Sequence, residues 1–380
     1  MLRQGKTAFY NEAMTSERST RRANVALLGA AVLFGMLLAE AVVRLLRPQF
    51  VDPWWRSRLS YYRHDSDLGW SHIPGAVGVL ARQEFSHEVR INSSGWRDRE
   101  RTLDKPPGIL RVVALGDSFA FGHGVRDEEI FTRLMEPMLN QVKQGTEVLN
   151  MALSGSSTDQ QLLILRHLAM VWKPDIVLVM VCRNDFTGIL ATTDGPYGKP
   201  AFTLERDGSL RLVNVPVPQV PWTARLHAWV RRTSGLVNLL ETWLEHDEPG
   251  ADPSAPSGAA ARETSYALMR ALLSEMRRVA EQGGADRGGA RLVVGLVPSN
   301  AHTYFDEVPA AEQRRFGVVT AFGAAENVPV IDLVPVFRRA ARDPVTGARI
   351  DLHYRLDQHW NKLGHQIAAA EIARRLAALP

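Results

Sequence analysis

From Ile109 to the C-terminus, short apolar runs alternate with stretches of helical periodicity, and this alternation constrains the fold more than any other feature. "ILRVVAL" has strand length. "DEEIFTRLMEPMLNQV" follows with helical spacing, and Asp127 is placed to cap it. "EVLNMAL" is the next strand and "DQQLLILRHLAMVW" the next helix, broken by Pro174 and Asp175. "IVLVMV" is wholly apolar, which suits a parallel strand buried on both faces. After an interruption come the helix "ETSYALMRALLSEMRRVAEQ", the strand "RLVVGLVP", a short helical segment, the strand "VPVIDLVP" and a last helix "NKLGHQIAAAEIARRLAAL". The alternation predicts an α/β chain: a three-layer α/β/α sandwich on a mostly parallel five-stranded sheet, flavodoxin-like in layout. In such sheets ligands sit beyond the carboxyl ends of the strands.

The interruption, residues 187–263, reads as an insertion. It holds a β-hairpin turning at Asp207-Gly208 and a low-complexity loop, "HDEPGADPSAPSGAAA". Between them, Trp222 to Leu244 reads as an amphipathic helix with Trp222, Trp229 and Trp243 and a basic cluster at Arg225, Arg231 and Arg232. It suits a lid over the site, or a helix lying on a membrane surface.

Val25 to Leu46 is apolar apart from Glu40 and Arg44, which are spaced to pair across one helical turn. As a helix it is about 33 Å long, enough to span a bilayer. Arg18, Arg21 and Arg22 precede it, as for a cytoplasmic tail with the main domain outside. A cleaved signal peptide is the rival, since Ala39-Glu40-Ala41 resembles a cleavage site, and a buried soluble helix is a third option. The expected organisation is a cytoplasmic tail (1–24), an anchor (25–46), an extension rich in Trp, Tyr, Arg and Pro (47–107), and the α/β domain (108–380). The single cysteine, Cys182, excludes an intramolecular disulfide. The net charge of +4 comes with scattered arginines and no nucleic-acid-binding signature, so no nucleic-acid partner is expected.

Four strand ends carry polar residues that the strands do not need: Gly116-Asp117-Ser118, Asn150 with Gly155, Asn184-Asp185, and Asp357 with His359. The first stretch, "ALGDSFAFGHGV", has no lysine for a P-loop and the wrong glycine spacing for a dinucleotide fingerprint. Ala120 stands where a lipase-type elbow needs its second glycine. Acyl transfer needs a serine, a base, a group orienting that base, and oxyanion donors. Ser118 can be the nucleophile, His359 the base and Asp357 the orienting acid, while Ser118, Gly155 and Asn184 can surround the oxyanion. Each piece alone also suits a plainer role: a turn, a helix cap, a packed histidine. Arg183 can meet an anionic or sugar substrate. His123 can contact substrate or simply be solvated. Asp117 suits a hydrogen bond within its turn, Cys182 small-residue packing, Asn361 a helix cap, and His365 the packed face of the last helix. No His, Cys or Asp cluster has metal spacing, and no cofactor is expected.

Together these stretches resemble the SGNH (GDSL-type) hydrolase superfamily over about residues 108–378. "ALGDSFAFGHGV", "LNMALSGSSTDQQ", "VCRNDF" and "LDQHWNKLGH" are similar to its successive blocks. The resemblance implies Ser118 as nucleophile, Gly155 and Asn184 as oxyanion donors, and Asp357 with His359 as acid and base. "NSSGWRDRE" and the N-terminal apolar helix resemble membrane-tethered bacterial members. Two positions depart from the pattern. Cys182 stands for the usual glycine of the third block, and Asp357-Gln358-His359 is one residue shorter than Asp-x-x-His. The shorter form resembles members acting on polysaccharide acetyl groups, and Asp351-Leu352-His353 is a decoy with the same spacing. The implied protein is a serine esterase for acyl esters, with O-acylated glycans outside the cytoplasm as expected substrates. The alternatives are an O-acyltransferase of the same fold and a catalytically weak glycan-binding or assembly protein.

Overall fold

The computed structural model describes residues 2–46, 61–194, 197–219, 221–223, 226, 230, 234–237, 239, 258–283 and 289–379. The chain divides into two compact units, Met1–Asp52 with Trp229–Pro249, and Pro53–Ala228 with Gly250–Pro380.

The first unit is built on helix α1 (Leu2–Leu46). No proline interrupts residues 2–24, so the expected polar tail continues the helix instead of standing apart from it. Its stretch Arg21–Leu46 has a mean hydropathy of 2.3, and Val43 is its one buried residue. By length and composition it can cross a membrane, and a signal sequence has the same character. Glu40, the carboxylate on this apolar helix, is fully engaged. It accepts hydrogen bonds from Arg44 Nε (2.6 Å), Ser234 Oγ (2.8 Å) and the N–H groups of Gly235 and Leu236 (2.9 Å each). Four donors offset much of the cost of a carboxylate in apolar surroundings. Trp229, Trp243, Arg225, Arg231 and Arg232 of the expected insertion helix lie outside the described residues, while Trp222 is exposed.

The second unit begins with two antiparallel hairpins. Strand β1 (Tyr62–Asp65) pairs with β2 (Gly69–His72), and β3 (Val77–Ala81) pairs with β4 (Ser86–Arg90). The parallel sheet follows: β5 (Leu110–Leu115), β6 (Thr146–Asn150), β7 (Ile176–Val181), β8 (Arg291–Leu296) and β9 (Val330–Asp332), in the spatial order β9-β8-β7-β5-β6. Successive residues face opposite sides, so each strand feeds two cores. Val113, Leu115, Val177 and Val179 meet α4 (Thr158–Ile164), α6 (Gly258–Gln282) and α7 (Ala310–Glu326) on one face. Val112, Ala114, Leu178 and Met180 meet α3 (Phe131–Val142) and α8 (Lys362–Ala377) on the other. This is the three-layer sandwich that the alternation implies. Chain order reverses between β5 and β7, so the crevice beyond these two strands is the topological switch point.

Three local expectations shift. Asp127 does not cap α3. Asp127–Glu129 form a 3-10 turn and α3 starts at Phe131, because Asp127 Oδ1 takes Arg97 Nε at 2.7 Å. The segment before β9 holds a 17-residue helix, α7, longer than the short helical segment expected. The insertion hairpin forms as expected, Ala201–Leu204 against Leu210–Val213, with Gly208 at φ 83 in the turn. However, α6 already begins at Gly258, inside the span assigned to the insertion. Asn361 caps α8 through Oδ1, which accepts from Gly364 N at 3.0 Å, and His365 is buried on that helix.

Residues 61–107 pack as part of the second unit. Arg97, 1% exposed, donates to the carbonyls of Phe121, Gly122 and Val125. It thereby ties the "NSSGWRDRE" stretch to the loop that follows Ser118.

Candidate active site

Ser118 is the first residue of the short helix α2 (Ser118–Phe121), directly after β5 and Gly116-Asp117. Asp117 caps this turn, accepting from Phe119 N at 3.0 Å. Gly116 is required by packing, since a Cβ there would lie 2.7 Å from Ala120 Cβ. The turn therefore closes tightly over the sheet and lifts the Ser118 hydroxyl toward the crevice.

His359 Nε2 lies 2.7 Å from Ser118 Oγ, and His359 Nδ1 lies 2.6 Å from Asp357 Oδ1. The carboxylate at Nδ1 favours the tautomer protonated there, leaving Nε2 as the acceptor for the serine hydroxyl. Gln358, between acid and base, has φ 68, a left-handed conformation unusual for a residue with a side chain. That turn lets Asp357 and His359 face each other across a single intervening residue. The competing pair goes elsewhere: His353 bonds the Pro298 carbonyl and the Tyr304 hydroxyl, while Asp351 pairs with Arg349 and Arg355.

Asp357 is also held from behind. Its Oδ2 lies 3.3 Å from His123 Nε2 and 3.3 Å from Arg82 Nε. Burial alone would raise the pKa of Asp357. Hydrogen bonds from His123 and His359 outweigh it and keep the group below the usual carboxylate range. His123 does not occupy the position the sequence suggested. It is buried, its ring centre 4.1 Å from that of His359 and tilted by 32°, and is neither solvated nor on the cleft wall, because Phe85 of the β3–β4 turn packs edge-on against it at 5.4 Å. Burial, and next its neighbour His359, press its pKa down to about 3.

The fold brings His123, Asp357 and His359 into a group that sequence spacing did not reveal, with ligand-type atoms within 4.8 Å of one another. Those atoms are already hydrogen-bonded to each other, and His359 also to Ser118.

After β7, Asn184 opens the short helix α5 (Asp185–Gly188) and donates through Nδ2 to Asp117 Oδ2 at 3.0 Å. Cys182 also donates to that oxygen, at 3.1 Å, and its sulfur meets Asn184 Oδ1. Burial, then the carboxylates of Asp117 and Asp185, push the Cys182 thiol pKa well up, so it stays protonated and packed. Beneath it Asp185 accepts from Cys182 N, Thr158 Oγ1 and Gln161 Nε2. Gly155 sits in the turn after β6 at φ 80, outside the lining of the cleft. The cleft itself, about 260 Å³, is lined by Ser118 and His359 together with Arg183, Asn184, Ser299 and Asn300, among others. Arg183 stands on its wall, with NH1 3.6 Å from Glu312 Oε1.

Two more buried histidines are held well below the ordinary value, chiefly by burial: His353 at about 4 and His365 at about 3. With His123 they are neutral when folded, but take up protons near pH ~6.5 when unfolded. The unfolded chain then binds more protons below that pH, so stability falls with pH through this window. Denaturant melts from pH 7 to 4 are expected to show a slope steepening to about 4 kcal/mol per pH unit. A flat profile would mean that these rings carry a proton in the native protein.

A serine after the first strand of the sheet, a histidine before the last helix and a crevice at the switch point are parts that an α/β hydrolase can use for acyl transfer. The comparison of families agrees: the model of the GDSL-like lipase/acylhydrolase family matches residues 114–367, more than half the chain, and the protein belongs to that family. It is a hydrolase. No curated protein matches the chain. Among solved structures, a lipase/acylhydrolase from Enterococcus faecalis is 14% identical, with 71% of this chain and 96% of that chain covered and a TM-score of 0.40. Axe2, an acetylxylan esterase from Geobacillus stearothermophilus, is 13% identical, with 73% and 98% covered and a TM-score of 0.42.

Proposed function

We propose that the protein cleaves short acyl esters carried on hydroxyl-rich molecules such as O-acylated glycans, using Ser118, His359 and Asp357. The observation that carries this reading is the continuous hydrogen-bond chain from Ser118 Oγ through both nitrogens of His359 to Asp357. Ser118 Oγ attacks the ester carbonyl while its proton passes to His359 Nε2. Asp357, ionised, steadies the imidazolium. The negative oxygen of the tetrahedral intermediate is met by the N–H of Ser118 and by Asn184 Nδ2, whose second hydrogen is not used by Asp117. Collapse breaks the ester C–O bond, and the leaving alcohol takes the proton from Nε2. Water then attacks the acyl-enzyme by the same steps in reverse, releasing the acid.

The cleft volume of about 260 Å³ favours a small acyl group over a long chain. The polar groups of Arg183, Asn184, Ser299 and Asn300 suit hydroxyl-rich carriers better than hydrocarbon. In this reading α1 anchors the chain in a membrane, with its N-terminus inside and residues 108–380 outside.

The test compares p-nitrophenyl acetate with p-nitrophenyl decanoate, and acetate release from O-acetylated xylan, using full-length protein in detergent. Ser118-dependent turnover that favours acetate supports the reading. A preference for decanoate would overturn the substrate class, and acyl transfer to added sugar in preference to water would reassign the enzyme as a transferase. Asn184→Ala is expected to lower kcat by about 100-fold with little change in KM. An unchanged kcat would remove Asn184 from the oxyanion site.

A further inference from the structure

The turn between β3 and β4, residues 82–85, lies outside the matched family segment, yet it reaches the acid of the candidate triad from two sides. Glu84 Oε1 accepts from Arg355 N at 2.8 Å, and Oε2 accepts from Leu356 N at 2.8 Å and Asp357 N at 2.9 Å. Three successive N–H groups pointing one way form an anion cradle, and the Glu84 carboxylate fills it. Hydrogen bonds to a carboxylate are among the stronger ones, so the cradle fixes the main chain of Asp357 itself. Arg82 reaches the Asp357 carboxylate (3.3 Å). Phe85 packs on His123 and, at 4.8 Å, on Tyr354, whose hydroxyl donates to the Gly124 carbonyl at 2.6 Å. The turn itself is closed by Arg82 N donating to the Phe85 carbonyl at 2.8 Å.

We infer that this turn is part of the catalytic apparatus, with Glu84 as a positioning residue that sets where Asp357 stands relative to His359. The inference rests on the triad proposed above. The strained backbone at Gln358 gives the acid loop other conformations to relax into, and the three bonds to Glu84 add to the loop's own hydrogen bonds, Gln358 N to the Tyr354 carbonyl and Tyr354 N to the His359 carbonyl, in opposing that relaxation. A shift of Asp357 by about an ångström weakens the hold on His359, and errors of that size cost about 100-fold in rate. Glu84 touches neither substrate nor reacting atoms, so its loss acts on kcat and not on substrate binding.

The experiment uses full-length protein and p-nitrophenyl acetate, with active sites counted by fluorophosphonate titration. Glu84→Ala is expected to lower kcat by about 30- to 100-fold with KM within about twofold. Glu84→Asp restores part of the rate. In an Asp357→Asn background, Glu84→Ala costs little more, because the residue it positions is already disabled. Should Glu84→Ala fail to fold, Glu84→Gln keeps one acceptor oxygen and is expected to lose about 10-fold in the same way. Full kcat in the Glu84 variants overturns the inference, as does a loss that multiplies undiminished with Asp357→Asn. The triad reading is judged separately: it fails if Asp357→Asn or Ser118→Ala retains wild-type turnover.

Discussion

Ser118→Ala is expected to lower kcat for p-nitrophenyl acetate by about 10⁵-fold, leaving only the residual rate that binding and oxyanion donors provide. The substitution removes one hydroxyl from the first position of α2 and leaves the Asp117 cap and the Gly116 turn untouched. The fold should therefore be unaffected, with a melting temperature close to wild type. KM should change little, since Ser118 is one small group on a cleft lined by many others. The assay is steady-state hydrolysis with a parallel thermal melt. A folded variant with more than about a tenth of the wild-type rate would remove Ser118 from the chemistry.

Asp357→Asn is expected to cost about 10⁴-fold in kcat. The amide nearly matches the carboxylate in shape, but it cannot hold the imidazolium, and its NH₂ favours the wrong tautomer of His359. The same change at the decoy, Asp351→Asn, should leave kcat within about twofold, since Asp351 pairs with exposed arginines. Equal losses at the two positions would mean that the local geometry has been assigned to the wrong pair.

The layer architecture was legible because periodicity records burial directly. "IVLVMV" is apolar throughout and is buried throughout, since helices cover both faces of β7. Ser118 and His359 were legible as polar residues at element ends, and the fold places them 2.7 Å apart across 241 positions of sequence. What could not be read were contacts set by packing between distant segments. The acidic run Asp127-Glu128-Glu129 looks like the first turn of a helix, yet Arg97 claims Asp127 and delays α3. His123 looks like a solvated loop residue, yet Phe85, far earlier in the chain, covers it. Glu84 carries no local signal at all. Its partners are backbone N–H groups about 270 residues away, and backbone donors leave no trace in side-chain patterns. A shortened Asp-x-His motif did hold a hint, because closing it demands an unusual turn at Gln358 that other contacts must stabilise.

The most direct test of the proposed chemistry is reaction of the full-length protein with a fluorophosphonate, followed by peptide mass spectrometry. The expected result is one adduct, on Ser118, that forms about 1,000-fold or more slowly when His359 is replaced by alanine. An unmodified Ser118, or labelling that ignores the loss of His359, would contradict the serine-nucleophile mechanism.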